Sequence, residues 1–154
     1  LAQVESGILQ EDPDQFKVVE ILENLSKNVA RDGILENIKG LFKKPPNQLE
    51  GVYIYGDVGR GKTMLMDLFF DSIKTDKKIR QHFHRFMQSI HTRLAELSGK
   101  TDPLNLIVSE LEKIYDLICF DEFYVEDIGD AMLLGRSLEK LLASKVKMVF
   151  TSNI

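Results

Sequence analysis

The chain has 154 residues, of which 44% are hydrophobic, so it is long enough to bury the core of one ordinary domain and too apolar to be disordered. Its 20 basic and 24 acidic residues give a net charge of −4 at pH 7, which argues against a protein that binds bulk nucleic acid. The sequence contains no apolar run of bilayer length and no secretory signal pattern. Its single cysteine, Cys119, stands in an apolar run and is expected to be a small buried hydrophobe. We therefore expect a protein of the reducing cytoplasm.

The first 50 residues are predicted to form a helical segment followed by a linker. Apolar side chains recur at helical spacing in DPDQFKVVEILENLSKNV, and Asp12 and Pro13 stand where a helix begins. Turn-forming residues then break this pattern and indicate the linker into the first strand: Pro45, Pro46, Asn47 and Gly51.

A buried strand, GVYIYG, is followed by a glycine-rich loop and by the helical pattern KTMLMDLFFDSI. The loop sequence GDVGRGKT matches the pattern G-x-x-x-x-G-K-S/T in full. Glycines let several backbone N–H groups point at one anion, Lys62 adds a positive charge for the outer phosphates, and Thr63 offers a hydroxyl to Mg²⁺. We therefore expect a phosphate-binding loop, the alternative being a glycine turn without a ligand. Its candidate binding residues are Gly56, Asp57, Val58, Gly59, Arg60, Gly61, Lys62, Thr63 and Met64.

The next stretch combines a basic patch with three histidines. The patch KTDKKIR is either a solvated loop or a nucleic-acid contact, and HFHRF is predicted to be a short strand that runs into a helix. On that strand His82 and His84 would share one face and could bind a metal together with His91. The alternative is that the three histidines have a structural role or couple the site to nucleotide hydrolysis.

The second half of the sequence alternates helices with apolar strands. Asp102 and Pro103 are expected to begin one helix, and Asp127 to cap another. The latter is predicted to bury one apolar face, formed by Ile128, Ala131, Met132, Leu138, Leu141 and Leu142. The segments DLICFDEF and VKMVFTSN read as strands. Such alternation predicts an α/β fold in which a parallel sheet is covered by helices on both faces.

Polar side chains follow these strands at the edge of the sheet where ligands bind. Asp121 comes after LICF, where a carboxylate can hold Mg²⁺, and Glu122 can accept a proton from an attacking water or orient that water. A water-activating glutamate favours a hydrolase over a small-molecule kinase. Asn153 can contact a γ-phosphate, although TSN alone is typical of a turn, and DE alone of an exposed strand end. Gln15 is either an exposed helical glutamine or a side chain that reads an adenine edge.

Several of these segments together resemble one family, the ZapE-type cell-division ATPases and their mitochondrial AFG-like relatives within the AAA+ P-loop ATPases. The resemblance rests on GVYIYGDVGRGKTMLMDLFF, HFHRFMQSIH, TDPLNLI, LICFDEFYVEDIGDAMLL and VFTSN, and the short SGKTDP connection is similar to the bacterial branch. It implies a P-loop ATPase core over residues 51–154, with ATP and Mg²⁺ as cofactors. By resemblance, Lys62 and Thr63 belong to Walker A, Asp121 and Glu122 to Walker B, and Asn153 to sensor 1; the catalytic set is Glu122, Lys62 and Asn153, and the Mg²⁺ ligands are Thr63 and Asp121.

The same resemblance implies partners and a sheet order. The expected partners are ATP or ADP, an FtsZ-like division protein at the inner membrane, and further copies of the chain in a homo-oligomer. The strand that ends in Asn153 should lie between the P-loop strand and the Walker B strand. Family members continue with another strand, an arginine finger and a helical lid, so we expect these 154 residues alone to hydrolyse little ATP and to self-associate through an open sheet edge.

Two rival functions remain open on the sequence. A replicative helicase loader would share the AAA+ core but would bind a helicase and single-stranded DNA, with a salt-dependent affinity. A non-catalytic interaction module would bind nucleotide only as a structural ligand.

Overall fold

The computed structural model describes residues 13–35 and 50–153. These ranges hold the following elements in chain order: α1 (Pro13–Leu35), β1 (Gly51–Gly56), α2 (Lys62–Ser72), β2 (Lys78–His82), α3 (Phe83–Glu96), α4 (Pro103–Ile114), β3 (Leu117–Asp121), α5 (Ile128–Leu142) and β4 (Lys147–Asn153). The predicted α/β alternation is therefore confirmed. The predictions on Asp12, Pro45, Pro46 and Asn47 fall outside the described residues.

The strands of the described ranges form one parallel sheet in the order β1-β4-β3-β2. β4, the last of the described strands, thus lies between the P-loop strand and the strand that ends in Asp121, as expected. The register sets Gly56 beside Asn153 in one strand pair and His82 beside Asp121 in another. All four carboxyl ends consequently meet at one edge, where the polar residues follow the strands.

Helices cover both faces of this sheet. Successive side chains of a strand point to opposite faces, so each central strand contacts helices on both sides. Leu117 and Cys119 of β3 pack with residues of α1 and α2, whereas Ile118 and Phe120 pack with residues of α3, α4 and α5. Cys119 is fully buried, as predicted, and burial raises the pKa of its thiol to about 12.

The strand predicted at HFHRF is wrong, because most of this segment is helical. β2 ends at His82, and Phe83 begins α3, because Phe83, Phe86, Met87 and Ile90 are buried at helical spacing against the core. Part of the basic patch is also strand rather than loop. The ammonium of Lys78 donates hydrogen bonds to the carbonyls of Phe70 and Ile73, at 2.6 and 2.8 Å, and so satisfies the carboxyl end of α2.

The buried face of α5 differs from the predicted one. Leu134, Ser137 and Leu141 face the core, whereas Ile128 and Met132 are 81% and 69% exposed. The predicted face is confirmed at Leu141, which is buried, and at Leu138, which packs against the core. It is wrong at Ile128 and Met132, which lie on the opposite side of the helix, since there are about 3.6 residues per turn. The predicted caps are confirmed, since the side chains of Asp102 and Asp127 accept backbone hydrogen bonds at the starts of α4 and α5.

An ion pair between α3 and α4 makes part of the stability depend on pH. Arg93 donates two hydrogen bonds to the carboxylate of Glu110, and these hold the pKa of Glu110 below its usual value. A lowered folded-state pKa stabilises the fold above the unfolded pKa, and this contribution is lost as pH falls through the folded pKa. In urea titrations, we expect the stability difference between the parent and Arg93→Met to shrink below about pH 4.5.

The matched control is Arg136→Met, because Arg136 is exposed and forms no ion pair within the described ranges. Its stability difference from the parent should stay flat between pH 7 and pH 3. If the stability difference between Arg93→Met and the parent is equally independent of pH, the role of Glu110 is contradicted.

Candidate functional site

The loop between β1 and α2 takes a conformation that requires glycine at two positions. Gly59 and Gly61 have φ values of 84° and 79°, in the left-handed region that other residues rarely adopt. Gly61 is the N-cap of α2, so the helix begins directly at Lys62 and aims its free N–H groups at the loop. The side-chain amide of Gln15 donates to the carbonyl of Arg60 at 3.2 Å, which ties α1 to this loop.

Lys62 is buried at the inner side of the loop, with only 9% of its surface exposed. Its ammonium donates hydrogen bonds to the carbonyls of Gly56 and Asp57, at 2.8 and 2.6 Å. The positive charge is therefore held where the loop meets the carboxyl edge of the sheet.

A cavity of about 340 Å³ opens at this edge. Its lining residues are Lys62, Thr63, Arg80, His82, Asp121, Glu122, Thr151, Ser152 and Asn153. The structure thus brings together the five predicted residues Lys62, Thr63, Asp121, Glu122 and Asn153, which come from three separate parts of the sequence. The other predicted residues of the loop, Gly56 to Gly61, and Met64 lie beside this cavity and do not line it.

Glu122 stands in a constrained turn after β3. Its φ is 52°, in the left-handed region, and the next residue, Phe123, donates its backbone N–H to the carbonyl of Thr151 at 2.8 Å. This backbone bond holds the turn against β4. The carboxylate of Glu122 is largely exposed and lies 3.6 Å from Nδ1 of His82. Unfavourable backbone conformations of this kind persist where the surroundings fix them, often at functional sites.

Arg80 is the residue of this site that the sequence interpretation missed. Its guanidinium donates to both oxygens of Asp121, at 2.6 and 3.2 Å, and also to Asp67 on α2. Burial alone would lower the pKa of Arg80, but its hydrogen bonds and ion pairs to the two aspartates outweigh burial and raise that pKa. No local sequence signal marks Arg80, because its position beside Asp121 depends on the pairing of β2 with β3.

The three histidines do not assemble as the metal hypothesis required. His82 lies at the end of β2, whereas Nε2 of His84, on α3, is 3.0 Å from the Gln88 amide. His91 contacts Asp130 at 2.6 Å. His82 and His84 therefore do not share a strand face. No group of three metal-ligating side chains occurs among residues 13–35 and 50–153.

The residues at the cavity fit a magnesium–nucleotide ligand in their chemistry. Thr63 and Asp121 present a hydroxyl and a carboxylate to the same cavity, and Mg²⁺ prefers oxygen ligands and keeps most of its waters. The start of α2 and the Lys62 ammonium supply the positive potential that phosphates require. The donor set thus matches the Mg²⁺ and phosphate ligands that the sequence predicts.

Comparison with known proteins identifies the family. The family model described as AFG1-like ATPase matches residues 1–154, the whole chain. The chain belongs to the AFG1-like ATPase family. The predicted family is therefore confirmed, and so is the prediction of a P-loop AAA+ fold in an ATPase family.

Two curated relatives are 51% and 44% identical to the chain over the residues that align. It is 51% identical over 126 residues to the cell division protein ZapE of Escherichia coli K12, an alignment that covers 82% of this chain and 33% of that protein. It is 44% identical over 119 residues to lactation elevated protein 1 homolog B of Danio rerio, covering 70% and 24% of the two chains. The chain thus spans a third or less of the length of these two relatives.

Solved structures support the fold. The crystal structure of DnaI superposes with a TM-score of 0.58 at 17% identity, covering 97% of this chain and 71% of that one. A structure of AMPPCP-bound DnaA from Aquifex aeolicus gives 0.56 at 20% identity, covering 92% and 38%. Such low identities establish only the common fold. No helix in the described part of this AFG1-like chain is long and apolar enough to cross a bilayer.

Proposed function

We propose that residues 51–154 form the core of an ATPase that binds Mg-ATP at the cavity and hydrolyses it, preceded over residues 1–50 by a helical segment and a linker. The observation that carries this proposal is the meeting of Lys62, Thr63, Asp121, Glu122 and Asn153 in one cavity at the carboxyl edge of a parallel sheet. The family membership supports the same activity.

In this proposal the loop and Lys62 bind the phosphates. The glycine loop directs backbone N–H groups at the β-phosphate, and the start of α2 adds its partial positive charge. Lys62 exchanges its contacts with the carbonyls of Gly56 and Asp57 for contacts with phosphate oxygens. The exchange keeps its ammonium hydrogen-bonded in both states, so a buried charge is never left without partners.

Thr63 and Asp121 would hold the Mg²⁺ that accompanies ATP, and this ion neutralises charge on the phosphates during transfer. Glu122 accepts a proton from the attacking water or orients that water, and its exposed carboxylate is free to approach the terminal phosphate. Asn153 lies beside Gly56, where its amide can hold the γ-phosphate or the water. The turn fixed by Phe123 keeps Glu122 next to the strand of Asn153.

The proposed cellular role is remodelling of a protein partner during bacterial division. The 51% identity to the cell division protein ZapE supports this role, and the resemblance of the sequence to that family suggests FtsZ polymers at the inner membrane, acted on by a homo-oligomer. The test is phosphate release by the full-length protein alone and with FtsZ polymers. We expect FtsZ to raise the rate; acceleration by single-stranded DNA instead, lost at high salt, would favour a helicase loader.

Replacing Lys62 with alanine should abolish stabilisation by nucleotide. A ligand that binds only the native state raises the free energy of unfolding by about 2.7 kcal/mol at a hundredfold excess over its dissociation constant. In thermal unfolding of the full-length protein, the parent should show this shift with Mg-ATP and Lys62→Ala should show none. Lys74→Ala, which removes an exposed lysine just after α2, is the control and should behave as the parent does. An equal shift in Lys62→Ala would count against the site.

A further inference from the structure

We infer that Arg80 is a positioning residue that fixes the carboxylate of Asp121 relative to α2, and so sets the geometry of the proposed Mg²⁺ site. The inference rests on the proposed function, which it deepens by adding a residue outside the Walker motifs. It starts from one guanidinium that bonds to two carboxylates on different elements.

The two proposed Mg²⁺ ligands belong to separate parts of the fold. Thr63 lies in the first turn of α2, which follows β1, and Asp121 ends β3. β4 lies between β1 and β3 in the sheet, so no direct strand pairing joins the elements that carry the two ligands. Because Mg²⁺ demands near-ideal octahedral geometry, the spacing between the two elements must be held by other contacts.

Arg80 provides such a contact. It bonds to Asp121 through Nε and Nη2 and to Asp67, which lies four residues after Thr63 on α2, through Nη1. The planar guanidinium holds a carboxylate in a fixed plane. Oδ1 of Asp121 also accepts a hydrogen bond from the Thr151 hydroxyl at 3.5 Å, whereas Oδ2, bonded to Nε of Arg80, keeps a second lone pair. Asp121 can therefore stay bound to Arg80 and still offer a carboxylate lone pair to Mg²⁺.

The surroundings of Arg80 argue against a role in packing alone. Arg80 lines the cavity described above and also a second one of about 390 Å³, lined by Asp67, Arg80, Gln81, His82, Arg85 and Asp121. The bridge is therefore close to solvent-accessible space and is not enclosed in the core. The ion pair with Asp67, whose side chain is 54% exposed, contributes little to stability by itself, because exposed pairs are screened by water. Orientation of Asp121 is the effect that remains.

The experiment measures how much Mg²⁺ strengthens nucleotide binding by the full-length protein. The probe is a fluorescent, non-hydrolysable ATP analogue, titrated in MgCl₂ and in EDTA. The Mg²⁺ enhancement is the affinity for the analogue in MgCl₂ divided by its affinity in EDTA. In Arg80→Lys, we expect the affinity in EDTA to stay within about twofold of the parent. The Mg²⁺ enhancement should fall at least about tenfold, because charge-assisted hydrogen bonds are lost. Lysine keeps the charge but cannot make the planar double contact. Arg80→Lys should cause no further loss in an Asp121→Ala background.

Two more variants keep the inference open to refutation. Asp67→Ala removes the acceptor at the exposed end of the bridge and should lower the Mg²⁺ enhancement even if Arg80→Lys fails to fold. Arg85→Lys, which changes a neighbouring arginine that has no bond to Asp121, should bind as the parent does in both buffers. An unchanged Mg²⁺ enhancement in Arg80→Lys, or an equal loss with and without Mg²⁺, overturns the positioning role. A parent that binds no nucleotide in either buffer overturns the proposed function itself.

Discussion

A Glu122→Gln variant of the full-length protein should bind ATP as tightly as the parent and hydrolyse it about 10² to 10⁴ times more slowly. The substitution keeps the size of the side chain and its position in the turn after β3, but it removes the group that can accept a proton from water. Binding depends on the loop and Lys62, which lie on other elements and are untouched. Phosphate release and nucleotide titration on the same preparation measure the two effects separately.

Glu126→Gln is the matched control for this variant. Glu126 is an exposed carboxylate four residues further along the same connection and does not line the cavity. The Glu126→Gln variant should hydrolyse ATP at the parental rate. If Glu122→Gln also keeps the parental rate, Glu122 is not the group that activates water.

Lys147→Ala is expected to lower the free energy of unfolding by about 3 to 5 kcal/mol. Lys147 is fully buried at the start of β4, and its ammonium is 2.7 Å from a carboxylate oxygen of Glu50, just before β1. Alanine removes a fully buried charge from its contact with the partly buried carboxylate of Glu50 and leaves space where the alkyl chain packed. Small domains have a free energy of unfolding of about 5 to 15 kcal/mol, so a loss of this size should be easily measured in urea titrations.

Lys140→Ala shows what a surface lysine contributes. Lys140 is 3.4 Å from Asp102, and both side chains are substantially exposed. Its loss should cost less than about 1 kcal/mol. If the two alanine variants were equally stable, the buried pair would have no special role in joining β1 to β4.

The sequence was sufficient to predict the features that depend on local chemistry. The glycine pattern before Lys62, the caps at Asp102 and Asp127, and the apolar strand before Asp121 each follow from the needs of one short segment. The same is true of the meeting of five candidate residues, because parallel strands bring their carboxyl ends to one edge.

Features that depend on long-range packing were missed. Arg80 looked like part of a solvated basic patch, since nothing local reveals that β2 pairs with β3 and sets this side chain against Asp121. The face of α5 was misplaced because Ile128 and Met132 are apolar yet exposed, and hydrophobic spacing alone does not say which side meets the sheet.

The most direct test of the proposed site is a crystal structure of the full-length protein with Mg²⁺ and a non-hydrolysable ATP analogue. We expect the β-phosphate within the loop from Gly56 to Thr63 and in contact with the Lys62 ammonium. Mg²⁺ should lie between Thr63 and Asp121, and the terminal phosphate should face Glu122 and Asn153. An analogue bound elsewhere on the protein, or bound here with Asp121 and Glu122 turned away from the phosphates, would contradict the account.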